Sequence, residues 1–224
     1  MLFEDSLPTT LAGVIHAVEN SGLPVTRRRD LVSAVMRICE MSGHTPAALQ
    51  VNPSVLRAAI ADIRPAAHRI ADGTFANIRS SFAAALASAG VIDRAPRGEA
   101  GRDPAWGPLV AKLPDPGMRH GLSSFLNWCA WRGVSPADIS DETINAYHLW
   151  LETRTLCPKP RDAVARTPRL WNQARDDVPG WPDITLTEVS FRKEPEHLTW
   201  DEFDTRYRHD AAAYLEMRRS PDVF

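Results

Sequence analysis

Arg27, Arg28 and Arg29 stand together at the start of a helical stretch, with Asp30 the one acid beside them. Three cations at that end oppose the helix dipole, which favours negative charge there. A bound phosphate reconciles them, because helix N-termini and arginines both favour phosphate. A solvated basic turn is the alternative, and the two readings stand level. A second group, Thr74, Asn77, Ser80 and Ser81, shares a helix face with Ala84. Small hydroxyl and amide side chains let a helix approach a phosphate backbone or groove edge. They equally let it pack closely on another helix. Arg79 lies at the rim of the same helix's apolar stripe and can snorkel outwards. The third group is the most basic stretch. Arg161, Arg166, Arg169 and Arg175 fall within fifteen residues, with Asp162 the one acid before Asp176. A helix from Thr167 to about Asp176 puts Asn172 and Gln173 where they can read base edges if it enters a groove. A solvated face is again the alternative. Trp171 reads as a core anchor rather than a base-stacking platform.

Other chemistries find little support. Asp176, Asp177, Asp201, Glu202 and Asp204 suggest an acid pair, but no His or Cys stands near them at ligand spacing. That rejects metal and hydrolase readings. The three cysteines form neither a disulfide framework nor a zinc site, and Cys39 and Cys129 read as small core residues. There is no nucleophile–base arrangement, so no cofactor and no small-molecule substrate is implied. The net charge of −2 gives no overall field towards nucleic acid or membrane, so anion binding must come from local patches. The apolar runs fall far short of a membrane span. The N-terminus carries acids early and lacks the charged-then-apolar order of a signal peptide. The expectation is a reduced, cytoplasmic protein with no membrane partner.

Helical elements position these groups. Thr26 can cap a helix through Cys39 that buries Val32, Val35, Met36 and Cys39. Asn52 and Pro53 start another, to about Ile63. Thr74 begins a third that ends at Gly90, with Phe75, Ile78, Phe82 and Leu86 as its apolar stripe. Residues 93–117, rich in Pro and Gly, read as a linker. The pattern resumes at Met118 with Leu122, Phe125, Leu126 and Cys129, and Asp141 caps a helix carrying Ile144, Tyr147, Leu149 and Leu151. The one alternating stretch is "ITLTEVSF" at 184–191. Thr199 with Glu202 offers a capping box before a last helix to about Arg218. All seven tryptophans lie at or beyond position 106. Trp128 and Trp131 flank Cys129, so one of them is exposed or covered by a partner.

One skeleton is written twice. A shift of ninety positions lays Arg29 on Arg119, Ser33 on Ser123, Cys39 on Cys129, Gly43 on Gly133, Pro46 on Pro136 and Ala47 on Ala137. Glycine after a helix and proline before the next are generic punctuation, but Arg, Ser and Cys in register are not. A period of ninety is a small domain rather than a solenoid repeat. The reading is an all-α chain of two tandem helical units, residues 1–92 and 118–183, joined by the 93–117 linker. Residues 184–224 form an extended segment and a C-terminal helix.

The stretch "MRHGLSSFLNWCAWRGVSPADISDETINAYHLWL", 118–151, resembles the core-binding, SAM-like domain of tyrosine recombinases of the phage-integrase family. "TFANIRSSFAAALASAGVI", 74–92, is similar to that domain's DNA-facing helix, and "TPRLWNQARDD", 167–177, is a weaker match. The resemblance implies double-stranded DNA as partner, self-association on DNA, and a role as the N-terminal clamp of an integrase. It assigns phosphate and groove contacts to the basic and small polar residues above, together with Arg119. The family's catalytic set departs: no His here is followed three residues later by Arg. Chemistry would then reside in a domain these residues do not supply. The alternative is an all-α interaction or regulatory module that uses its Trp-rich half, which the net charge favours.

Overall fold

The structure is a computed structural model, and it describes residues 7–191 and 200–219. Contacts group the chain into two compact units, residues 1–189 and 190–224. Among the described residues every regular element is a helix, and the one strand-type pairing is an isolated bridge, Thr10 to Gln50. None of their helices is long and apolar enough to cross a membrane.

The first half of the larger unit is four helices around one core. In α1 (Leu11–Glu19) the hydroxyl of Thr10 caps the first turn and Leu11, Val14 and Val18 are buried on one face. This helix is additional to those expected. α2 (Val25–Ser42) starts after Pro24, not at a Thr26 cap, and buries Leu31, Ala34, Val35, Ile38 and Cys39. Met36, expected inside, is 48% exposed, because the buried stripe is centred one position away. α3 (Pro53–Asp62) opens as expected, with the Asn52 side chain accepting from the Ser54 amide and Pro53 in the first turn. α4 (Asp72–Ser88) starts two residues before Thr74 and buries Phe75, Ile78, Phe82 and Leu86. These side chains meet those of α1 and α2 in one core.

The second half begins where a linker was expected. Residues 93–117 instead contain α5 (Glu99–Arg102) and α6 (Gly107–Ala111), and Ala100, Trp106, Leu109 and Leu113 are buried. Pro and Gly here break the helices without releasing the chain from the core. At Gly107 a Cβ would sit 2.9 Å from the Gly101 carbonyl oxygen, so the glycine permits a close backbone approach. α7 (Pro116–Arg132) is capped by the Asp115 carboxylate and buries Met118, Leu122, Phe125, Leu126, Trp128 and Cys129. α8 (Asp141–Arg154) is capped by Ser140, not Asp141, in a reciprocal box with Thr143. It buries Ile144, Tyr147 and Leu151, while Leu149 is exposed. α9 (Pro160–Asp177) begins about two turns before Thr167 and carries Pro168 internally, which forgoes one backbone hydrogen bond.

The two stretches related by the ninety-residue shift make the same turn. Gly43 and Gly133 close α2 and α7 with φ of 71° and 70°, the left-handed conformation glycine adopts at little cost. The next amide, His44 or Val134, donates to the carbonyl of Cys39 or Cys129 at 2.9 Å in each case. Leu49 and Ile139, the matching apolar residues beyond the turn, are both buried.

The halves are stapled together. The Arg57 guanidinium, from α3, donates to the Leu151, Glu152 and Thr155 carbonyls at 3.4, 3.1 and 2.9 Å, capping α8 with a cation where the dipole favours one. Arg154 pairs with Asp93 at 2.8 Å, and the Asp93 amide returns a bond to the Arg154 carbonyl at 2.8 Å. The Arg154 hydrogen bond holds the Asp93 carboxyl below its usual pKa.

Residues 184–187 are extended but form no strand. The Asn172 amide grips Leu186 both ways, accepting from its N–H and donating to its C=O, each at 2.8 Å. The Trp171 indole donates to the Ile184 carbonyl at 2.8 Å. Asp141 accepts from the Thr187 amide at 2.8 Å and from its hydroxyl at 2.6 Å, and these bonds lower its pKa. Side chains do here what a neighbouring strand does in a sheet.

In the smaller unit, α10 (Thr205–Arg219) is capped by Asp204, whose carboxylate accepts from the Arg206 and Tyr207 amides at 2.6 and 3.0 Å. The expected Thr199 cap lies outside the described residues.

Candidate nucleic-acid interface

α2 and α4 lie side by side over the shared core and leave a shallow groove between them. Arg27, Asp30, Ser33 and Arg37 line it from α2, and Thr74, Asn77 and Ser81 from α4, with Ala34 and Ile78 at the bottom. The α2 positions 27, 30, 34 and 37 repeat at helical spacing, as do 74, 77, 78 and 81 on α4. Small residues keep the groove open. Two guanidiniums against one carboxylate give it a net positive charge. Thr74, Asn77, Ser80 and Ser81 make no side-chain hydrogen bond among the described residues. Their donors and acceptors face solvent or the groove, which a helix packed there for structural reasons would not require. Neither α2 nor α4 has a side-chain N-cap, and Asp72 stands in the first turn of α4.

The other residues of the first half divide. Arg28 donates to the Glu19 carbonyl and caps the end of α1. With Arg29 it borders a separate groove against Glu19, Val25 and Val32. The arginine cluster is therefore not one site: Arg27 faces α4, and Arg28 and Arg29 face α1. Arg79 and Ser80 lie on the opposite flank of α4 and line a cleft with Arg57, Arg94 and Arg97. Arg79 stays over the Phe75 ring, 5.8 Å from its centroid.

In the second half the expected polar residues mostly serve the fold. Arg119, the counterpart of Arg29, donates to the Leu113 carbonyl at 2.9 Å just past α6. Thr167 does not open a helix and does not face solvent. It is 1% exposed in mid-helix, and its hydroxyl donates back to the Ala163 carbonyl at 2.9 Å. Asn172 is the clamp on Leu186 and cannot read base edges while it holds that strand-like segment. Arg175 pairs with Asp176 at 2.8 Å and donates to the Thr185 hydroxyl. Arg161 lies 3.9 Å from Glu152. The stem of Arg166 packs beside Gly121, where a Cβ would lie 3.6 Å from its Cδ. Arg166 and Arg169 remain exposed on α9.

Trp171 is the core anchor expected, and Trp106, Trp128 and Trp181 are buried with it. Of the pair around Cys129, Trp131 is the exposed one. No His, Cys, Asp or Glu group among the described residues can hold a metal. Burial pushes the Cys39 and Cys129 thiols up in pKa, away from the reactive thiolate.

Sequence reasoning missed Arg37, although its 27–30–34–37 spacing places it on the Arg27 face. It also missed Arg94 and Arg97, which no local pattern links to α4. No protein-family model, no curated protein and no solved structure matches this chain.

Proposed function

We propose that this chain binds double-stranded DNA through the α2–α4 groove, as the clamping part of a protein like a tyrosine recombinase. One observation carries the reading: Arg27 and Arg37 converge on Thr74, Asn77 and Ser81, polar side chains that make no bond within the fold. Arginines take the phosphates, and the small residues let α4 come close to the backbone. The negative net charge limits binding to this face, so it is local and salt-sensitive rather than a pull on the whole molecule. The residues that cut and rejoin DNA in recombinases are not matched here, so the role is to hold and position the duplex, with assembly of several copies on DNA. All three cysteines are free, which suits a reducing cytoplasm.

The rival, a Trp-rich partner surface, keeps less support, because four of the tryptophans are core. Exposed Leu149 and Trp131 with half-buried Trp150, and exposed Trp200 in the smaller unit, are what remains of it.

The test is fluorescence anisotropy with a duplex at several salt concentrations. Affinity should fall as salt rises. Arg27→Glu with Arg37→Glu should weaken binding and flatten the salt slope by about 2, one unit for each phosphate no longer neutralised. No binding at low salt, or salt-independent binding, rejects the reading.

A further inference from the structure

The cleft on the far flank of α4 has a composition that DNA backbone contact does not explain. It holds about 560 Å³ and is lined by Arg57, Arg79, Arg94 and Arg97 with no carboxylate. Arg57 is engaged by the α8 carbonyls. Arg79, Arg94 and Arg97 are exposed, and none of the three has an ion-pair partner among the described residues. Three unpaired like charges around one concavity repel one another until an anion enters. Beneath them the floor is apolar: Ile60, Ile63, Phe75 and Leu156. A strand backbone needs positive charge but no hydrophobic floor. Small-molecule sites combine this size with apolar walls and a few placed charges.

We infer that the cleft binds a nucleoside monophosphate, with the phosphate held by Arg79, Arg94 and Arg97 and the flat base laid on the apolar floor at Ile60 and Leu156. Three cations suit a dianionic phosphomonoester better than a single carboxylate, and guanidiniums engage phosphate in bidentate fashion. Guanidinium planes also stack on a base. The occupant touches both halves, since α3 and α4 supply one wall and Leu156 the other, so its binding should stabilise their junction. A free mononucleotide and the 5′-phosphorylated end of a DNA strand present the same chemistry. The inference stands apart from duplex binding by the α2–α4 groove.

The experiment is calorimetric titration of the full chain with adenosine monophosphate, adenosine, inorganic phosphate, and a short single strand with and without a 5′-phosphate. The mononucleotide, or the phosphorylated strand over its unphosphorylated copy, should bind saturably and raise the melting temperature. The first assigns a free nucleotide and the second a strand end. Adenosine and inorganic phosphate should each bind at least about tenfold more weakly, since each lacks one half of the interaction. Arg94→Glu with Arg97→Glu should abolish binding, as should Ala76→Glu, which places a carboxylate in the cleft from an exposed position on α4. Arg27→Glu with Arg37→Glu should leave it intact, separating this site from the DNA groove. The inference is overturned by absence of binding to both phosphorylated probes, by binding that survives these cleft variants, or by inorganic phosphate binding as tightly as the nucleotide.

Discussion

The two halves of the larger unit share a turn but not a purpose. α2 and α7 end in the same glycine, with the same amide-to-cysteine bond after it, and each leads to a buried apolar residue beyond the turn. The helices that complete them diverge. α4 turns Thr74, Asn77 and Ser81 outward beside Arg27 and Arg37, and no side chain of the fold takes them up. α9 carries similar residues inward or sideways: Thr167 is bonded to its own helix, Asn172 to Leu186, and Arg175 to Asp176 and Thr185. A polar residue at a matching place is thus not a matching function. What distinguishes them is where each hydrogen bond already goes.

Removing the two asparagines should separate the halves most widely. Asn172→Ala strips both backbone bonds from buried Leu186 and should cost about 2–3 kcal/mol in urea denaturation. Asn77→Ala should change stability by less than about 0.5 kcal/mol, as exposed substitutions do. Equal losses would mean that Asn77 is structural too.

A smaller effect tests the shared turn. Nothing lies within 4 Å of a Cβ built on Gly43 or Gly133, so alanine there meets only backbone strain. Each substitution should cost about 1–2 kcal/mol, and the two costs should agree. A marked difference would separate the two copies.

The smallest effect concerns acid. Asp93 holds Arg154, and Asp141 holds Thr187. Both carboxyls titrate below their ordinary range because of those bonds. Their contribution is present in full above about pH 4, the unfolded carboxylate value, and is lost as pH falls through the lower folded values. Both pairs are solvent-exposed enough that the effect is modest. Melting temperature against pH should drop below about pH 4, and Asp93→Asn with Asp141→Asn should flatten that drop.

Much of this fold was legible because helices announce themselves locally. The stripes of α4 and α7, the Asn52–Pro53 start and the glycine stops all follow from residues a turn or two apart. What stayed hidden depends on distant partners. Residues 93–117 look like a linker because Pro and Gly dominate them, yet Trp106 and Leu113 find their core only when α7 is in place. Thr167 looks like a helix start because Pro168 follows it, yet Pro160 supplies the first turn. Asn172 cannot be read without the segment fourteen residues on that it clamps, nor Arg57 without carbonyls more than ninety residues away. The candidate site divides the same way: the polar stripe of α4 is visible in sequence, but α2 decides which part of it lines a positive groove.

Under the proposed function, duplex DNA meets the first half and not the second. The deciding measurement is anisotropy titration of one duplex at low salt with two charge-reversed pairs, Arg27→Glu with Arg37→Glu on α2 and Arg166→Glu with Arg169→Glu on α9. The groove pair should lower affinity by at least about tenfold and reduce the salt slope, while the α9 pair has a much smaller effect. An equal effect, or a larger one from α9, would contradict this assignment.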